Sequence, residues 1–332
     1  MEELVREEGQ SAWCWGWTGI GALAALCVAI GLGAASRARL APAGPVVLWA
    51  ADRDAGVLYA LDADLILARR TALGTPLEIV RARDGGLFML RQDGAGPGRG
   101  TRLCVLDARG LPQSEVALER CLDLDTLDGR TALLVEEPAA GGTELRRALR
   151  IAPGGARSVL ARSAVLRCIS GSRASVLVGT DDGWVDRLPL EGSVPLGSVQ
   201  LGGAVLDLAR GPEAGSVFVL LNAPPRLALL GPELEARWQV ALPVVARHLG
   251  AVEGTERVWI ADTSAARVLR YGPGGALELD RDGLPLLGLD RALPWIDGGV
   301  LLCAPGAILH LDARGHLAPG QGGFNFLVDL AR

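Results

Sequence analysis

Short apolar segments, each followed within a few residues by Gly, Pro or Asp, make up the chain from Val46 to its end. The turns recur about every 8 to 12 residues, and no long segment has the spacing of an amphipathic helix. One type of segment occurs seven times, at residues 46–49, 87–90, 132–135, 176–178, 217–220, 258–261 and 300–303. A second type follows each copy, often with a turn such as Asp107-Ala108-Arg109-Gly110 after it. The pattern predicts an all-β fold of repeated antiparallel strands.

The length of the repeat indicates which all-β fold this is. Residues 46–332 divide into seven units of 41 residues, the length of a four-stranded propeller blade. We therefore predict a seven-bladed β-propeller, with six or eight blades as alternatives. The strand that precedes each repeat appears at residues 77–81, 122–125, 165–169, 205–209, 245–249 and 287–291. The seventh copy is residues 326–331, which we expect to complete the first blade (residues 46–73) and so close the ring and remove its open edge.

The N-terminal region has a different composition. Residues 1–10 form an acidic tail, and no charged side chain occurs between Glu8 and Arg37. Residues 11–36 are long enough, as a helix, to cross a hydrocarbon core of about 30 Å, and residues 37–45 form a linker to the propeller at 46–332. The alternative is a signal peptide cleaved after Ala35, within the small residues 33–36, which the acidic leader disfavours.

Small residues recur every fourth position along the predicted helix, at Gly21, Ala25, Ala29 and Gly33. Such a face lets another transmembrane helix approach closely, so we expect a transmembrane protein partner or complex, although the chain is rich in Ala and Gly throughout. The predicted location is a single pass through the inner or cell membrane, with the propeller on the periplasmic side. The cytoplasmic side is the alternative, which the arginine count favours by one residue.

Residues 257–263, residues 267–271 and the pair Gly274-Gly275 resemble an NHL repeat, and residues 47–52 with 57–62 resemble a looser copy. The resemblance implies an NHL-like or quinoprotein-like propeller. Proteins of this kind include scaffolds, sensors, lyases and lactonases, so the resemblance implies a fold and leaves the function open.

The seven inner strands, aligned by their apolar rhythm, place one charged residue each in register. These residues are Glu78, Asp123, Arg167, Asp207, Arg247, Asp290 and Asp329. One hypothesis is a charged central channel that binds a cation or a polar ligand, because carboxylate oxygens suit hard metal ions. The other, which we favour, is that the side chains point between blades and pair with arginine or backbone N–H groups.

The composition argues against several classes of functional site. The net charge is -5, all 33 basic residues are arginine, and nothing suggests a basic face for nucleic acid. The six cysteines and three histidines lack the spacing of zinc or haem sites, and no nucleophile and base form a recognisable set. We predict no catalytic residue, no metal site and no cofactor.

Two longer loops, at residues 92–100 and 136–142, supply docking candidates, namely Gln92, Asp93, Arg99, Glu136 and Glu137.

The sequence therefore favours a non-catalytic, membrane-anchored propeller that acts as a protein-binding or scaffold module, such as an accessory subunit of a larger membrane complex. Two alternatives stay open. One is a propeller enzyme of the lyase or lactonase type with a divalent metal in its channel, and the other is a secreted ligand-binding propeller released by signal cleavage.

Overall fold

The computed structural model describes residues 45–331, apart from 82–85, 93–99, 128, 139–144, 173–174, 193, 263, 286–287, 290 and 325–326. The predicted tail, the predicted membrane helix with Gly21, Ala25, Ala29 and Gly33, and residues 37–44 of the linker lie outside the described residues. Within the described part of the chain, no helix is long and apolar enough to span a membrane.

The described residues form seven four-stranded antiparallel sheets, which are the blades of the predicted seven-bladed propeller. The strands of each blade are given from the axis outward. Blade 1 consists of β28 (Leu327–Ala331), β1 (Leu48–Asp52), β2 (Val57–Leu61) and β3 (Leu67–Ala72), and blade 2 consists of β4 (Thr75–Arg81), β5 (Leu87–Gln92), β6 (Thr101–Leu106) and β7 (Pro112–Leu118). Blade 3 consists of β8 (Arg120–Leu127), β9 (Thr131–Glu137), β10 (Arg146–Ile151) and β11 (Arg157–Ser163), and blade 4 consists of β12 (Leu166–Gly171), β13 (Ser175–Thr180), β14 (Trp184–Pro189) and β15 (Gly197–Gln200).

Blades 5 to 7 follow the same order. Blade 5 consists of β16 (Val205–Arg210), β17 (Val217–Leu221), β18 (Arg226–Leu230) and β19 (Ala236–Ala241). Blade 6 consists of β20 (Leu249–Ala251), β21 (Val258–Asp262), β22 (Arg267–Tyr271) and β23 (Leu277–Arg281). Blade 7 consists of β24 (Arg291–Pro294), β25 (Val300–Ala304), β26 (Ala307–Leu311) and β27 (Leu317–Gly322). One turn of 3₁₀ helix, Pro273–Gly275, lies between β22 and β23.

The two ends of the chain meet in blade 1. β28 pairs antiparallel with β1, with Ala50 opposite Leu330 and Ala51 opposite Asp329. The predicted closure by the C-terminal strand is thereby confirmed. Because this pairing joins the first and last strands of the described chain, blade 1 has four strands, as the other six blades do.

The apolar core lies between neighbouring blades. β13 and β17 are buried along their whole length, whereas the outer strands β3 and β19 alternate between exposed and half-buried positions. One cluster of buried side chains joins Phe218 of blade 5 to Ile260 of blade 6. Such packing explains why second strands such as β13 and β17 are continuous apolar runs, since both faces of a blade are covered.

The inner strands of blades 6 and 7 begin later than the sequence predicts. Residues 245–248 are not part of the ladder, which starts at Leu249, and the ladder of blade 7 starts at Arg291. Residues 242–247 nevertheless alternate between buried and exposed side chains. Alternation reports which side chains are buried and does not report backbone pairing, so the sequence placed these two strands about four residues early.

The repeated turn sequence has a defined geometry. Asp107 Oδ1 accepts hydrogen bonds from the backbone N–H groups of Arg109 (2.8 Å) and Leu111 (2.9 Å), and Gly110 has φ 70°. Asp312 and Gly315 form the same turn in blade 7. The aspartate holds the turn, and the glycine supplies the positive φ that closes it onto the outer strand.

Deletion of residues 324–332 should lower the thermal midpoint by more than about 5 °C, because it removes β28 and opens blade 1. The substitution Leu330→Asp should act in the same direction, since Leu330 is buried, whereas Leu317→Asp on the exposed outer strand of blade 7 should not. Differential scanning calorimetry measures all three. An unchanged midpoint in the truncated chain would show that the ring does not depend on its ends.

Candidate functional site

One side chain from each blade reaches the same level of the central channel. We call these residues the axial ring, and they lie opposite equivalent positions of the second strands, namely Ala51, Leu90, Val135, Gly179, Leu220, Ala261 and Cys303. The ring consists of Asp329, Glu78, Asp123, Cys168, Asp207, His248 and Arg291. His248 is placed by continuation, since it precedes Leu249, which pairs with Ile260.

Four of the seven aligned residues occupy ring positions, whereas other residues hold the ring positions of blades 4, 6 and 7. Glu78, Asp123, Asp207 and Asp329 occupy the predicted positions, but Cys168 replaces Arg167 and His248 replaces Arg247. In blade 4 the register shifts between Leu166 and Cys168, as it does just before the ring residue in blades 2, 3 and 5, so Cys168 is the residue equivalent to Glu78, Asp123 and Asp207. A bulge adds one residue that apolar periodicity cannot reveal. In blade 7 the ring position belongs to Arg291, while Asp290 lies outside the described residues.

The aspartates of blades 1, 3 and 5 each bond to the next blade. Asp329 Oδ2 accepts from the backbone N–H of Ile79 (2.8 Å), Asp123 Oδ2 from Ile169 (2.7 Å), and Asp207 Oδ2 from Leu249 (2.7 Å). These are the contacts that the favoured structural hypothesis expected. Each acceptor also satisfies an inner-strand donor at the junction of two blades.

Arg291 of blade 7 completes the ring with charge pairs. Its Nη1 lies 2.9 Å from Asp329 Oδ1, and its Nη2 lies 3.0 Å from Glu78 Oε1. His248 Nδ1 is 3.5 Å from Arg291 Nη2 and 3.7 Å from Asp207 Oδ2. A single guanidinium therefore joins blade 7 to blades 1 and 2, and its two carboxylate partners stabilise its charge.

Burial shifts the protonation of the ring. Desolvation, with the nearby Asp207 carboxylate, raises the pKa of Asp123 to about 7. Burial and the Asp123 charge raise the pKa of Glu78 well above its usual value, although Arg291 opposes the shift. The pKa of the buried Cys168 thiol is also raised, so this cysteine is a weak nucleophile. Raised carboxyl pKa values mean that part of the ring carries a proton near neutral pH.

Two cavities open on either side of the axial ring, and both are lined by Asp123 and Asp207. The first, of about 400 Å³, lies where the inner strands end and includes Arg291. The second, of about 570 Å³, lies where they begin and is called the mouth cavity. Arg167 and Arg247 line the mouth cavity. The two predicted arginines therefore belong to the channel, one level away from the ring.

The docking candidates predicted from the sequence differ in burial and in the groups they pair with. Glu136 is 1% exposed, accepts from the backbone N–H of Glu119 (2.6 Å) and pairs with Arg147, so its side chain cannot meet a partner directly. Glu137 pairs with two arginines in the mouth cavity. Gln92 ends β5, opposite Thr75 and Thr101, while Asp93 and Arg99 lie outside the described residues.

A third cavity, which the sequence did not indicate, lies at the rim between blades 3 and 4. This rim groove has a volume of about 810 Å³ and runs along β11 on one side and β14 on the other. Trp184 and Val159 are its partly exposed apolar residues. The signal in the sequence was a single tryptophan after a Gly turn, which predicts no groove by itself.

Among the described residues, no group of three or more His, Cys, Asp and Glu side chains could hold a metal ion. The four described cysteines, Cys104, Cys121, Cys168 and Cys303, are free thiols.

No protein-family model matches the chain, and no curated protein matches it, so membership of the NHL family is not confirmed. Solved structures match in fold. A proposed 6-phosphogluconolactonase from Bacteroides fragilis has TM-score 0.64 and 11% identity over 85% of this chain and 96% of that one. The dihydro-heme d1 dehydrogenase NirN, in complex with DHE, has TM-score 0.59 and 14% identity over 88% and 76%. BamB from Moraxella catarrhalis has TM-score 0.55 and 14% identity over 85% and 84%. At these identities the likeness shows the propeller fold alone.

Asp123→Asn should change how stability depends on pH. The folded-state pKa of Asp123, about 7, lies above the roughly 3.9 of an unfolded chain, so ionisation of Asp123 lowers the free energy of unfolding as pH rises from about 4 to 7. The variant should therefore lose less stability than the wild type between pH 5 and pH 8, measured by urea unfolding. Glu191→Gln, on an exposed loop, is the matched control and should keep the wild-type profile. Identical profiles for all three proteins would contradict the assignment.

Proposed function

We propose that this protein is a non-catalytic protein-binding propeller and that the rim groove takes an extended peptide segment of its partner. The observation that carries the proposal is the construction of the groove, which has an open strand edge on one wall and alternating side chains on the other. The axial charges support the non-catalytic part, because the ring aspartates and Arg291 are engaged in bonds between blades.

The open edge is the outer strand of blade 3. β11 pairs only with β10 within its sheet, and residues 159–163 line the groove consecutively. The opposite wall presents Trp184, Asp186 and Leu188, every second residue of β14. An extended peptide can hydrogen-bond to a free strand edge while alternate side chains enter pockets, which is the general mode of strand addition.

The lining indicates the chemistry of the peptide. Beside Pro195, which lines the groove, Val194 and Leu196 are 77% and 64% exposed. Together with Trp184 they make an exposed apolar surface suited to aliphatic or aromatic side chains. Two carboxylates, Asp182 and Asp186, outnumber the one guanidinium of Arg162. An apolar segment that also carries a basic residue therefore complements the groove best.

The proposal includes the membrane attachment that the sequence predicts. Residues 11–36 would anchor the chain in the inner or cell membrane, with the propeller on the periplasmic side, and Gly21, Ala25, Ala29 and Gly33 would pack against a transmembrane helix of the same partner. The apolar length and the spacing of small residues support this part.

The groove is tested by selecting ten-residue peptides from a random display library on the full-length protein in detergent and measuring the affinity of the selected synthetic peptides by fluorescence anisotropy. We expect apolar sequences with a basic residue. Val159→Asp should weaken them at least about tenfold, because it places a charge in the apolar wall. Leu277→Asp is the matched control, since Leu277 is 49% exposed on the outer strand of blade 6 and Val159 is 40% exposed on that of blade 3.

A second arm tests the backbone part of the binding mode. N-methylation of alternate peptide amides should abolish binding if the peptide adds to β11, and methylation in the other register should not. Equal loss in Val159→Asp and Leu277→Asp would contradict the groove as the site. Concentration-dependent self-association that Val159→Asp abolishes, measured by sedimentation, would overturn the proposal in favour of a contact between two copies of this chain.

A further inference from the structure

The mouth cavity is independent of the rim groove and contains an unusual concentration of arginine. Four guanidinium groups line it, from Arg120, Arg146, Arg167 and Arg247, and His248 lies beside them. A volume of about 570 Å³ is within the range of small-molecule sites in proteins. Because arginine carries its charge at all physiological pH values, the balance of these charges decides what the cavity attracts.

Three of the arginines are held in one network on blades 3 and 4. Arg120 Nη1 lies 2.7 Å from Glu137 Oε2, and Arg146 Nη2 lies 3.1 Å from Glu137 Oε1. Arg146 Nη1 lies 2.6 Å from Asp181 Oδ2, and Arg167 Nη1 lies 2.9 Å from Asp181 Oδ1. Three positive charges share two carboxylates, so the network keeps an excess of one positive charge. The ion pairs also hold the guanidinium groups in place before any ligand arrives.

Arg247 supplies a fourth guanidinium from blade 6. It is exposed, and within the described part of the chain its side chain has no hydrogen-bond or ion-pair partner. An unpaired arginine in the wall of a concave site is free to make a bidentate contact with a carboxylate or a phosphate.

The two ring aspartates at the floor of the mouth cavity cancel only part of this positive charge. Asp123 and Asp207 line the cavity, but one oxygen of each is already bonded to the backbone of the next blade. Burial raises the pKa of Asp123 to about 7, so the cavity floor carries less negative charge than two ionised aspartates would.

We propose that the mouth cavity binds a small organic dianion, with one anionic group at Arg247 and the other at the arginine network of blades 3 and 4. The ligand class is defined by two carboxylate or phosphate groups on a compact skeleton, since each guanidinium site recognises one such group. The propeller would then have two separate sites, a peptide groove at its rim and an anion site at its axis.

Isothermal titration calorimetry on the full-length protein tests the site, with succinate, glutarate and glycerol 3-phosphate as separate probes and the neutral diamide of succinic acid as the control ligand. Arg247→Gln should weaken the best dianion at least about tenfold, because a charged hydrogen-bond donor is lost. Arg247→Lys should recover part of the affinity, since it restores the charge without the planar donor pair. Arg314→Gln, at an exposed turn of blade 7, is the matched control and should bind as the wild type does.

The expected pattern separates a site from general charge attraction. Binding of a dianion that Arg247→Gln weakens and Arg314→Gln leaves unchanged supports the proposal. No binding of any of the three dianions up to about 10 mM, or equal weakening by both arginine variants, overturns it. Binding of the neutral diamide with the same affinity as succinate would also overturn it, because charge would then play no part.

Discussion

The hydrogen bonds between axial carboxylates and the backbone of the next blade are the constraint on which this ring depends. Strands within a blade satisfy one another, but no ladder joins one blade to the next, so side chains must do so. Asp329, Asp123 and Asp207 link blades 1, 3 and 5 to blades 2, 4 and 6. Seven is odd, so blade 7 is left without such a pair. Arg291 fills that place by binding carboxylates from blades 1 and 2.

This arrangement explains why the acidic residues at the axis resemble a ligand site although Asp329, Asp123 and Asp207 already accept hydrogen bonds from neighbouring blades. Side chains that close the ring are buried, and their removal would leave unsatisfied groups at the junctions of blades. Chemistry available to other molecules therefore lies one level away, at the arginines of the mouth cavity, or on the outer strands, where β11 leaves an open edge beside Trp184. The two proposed sites use surfaces that the ring does not need for its own stability.

The likeness to solved propellers of 11% to 14% identity shows that very different sequences adopt this fold. Buried runs such as β13 and β17 require apolar side chains of suitable size, and many sequences meet that requirement. Arg247 and Trp184 are not required by the fold. A likeness in fold alone therefore says nothing about what these two side chains bind.

The sequence alone determined the seven repeats, the closing strand at the C-terminus and the positions of Glu78, Asp123, Asp207 and Asp329, because each follows from local apolar rhythm and turn residues. The tertiary structure decided the rest. Cys168 and not Arg167 holds the ring position of blade 4, because the register shifts just before Cys168 as it does before Glu78, Asp123 and Asp207, and apolar periodicity does not show which residue follows the shift. The partners of the ring lie far apart in the chain, 250 residues for Asp329 and Ile79 and 213 for Arg291 and Glu78. Periodicity describes neighbours along a strand, whereas the rim groove and the mouth cavity arise where separate blades meet, and only the closed ring brings those residues together.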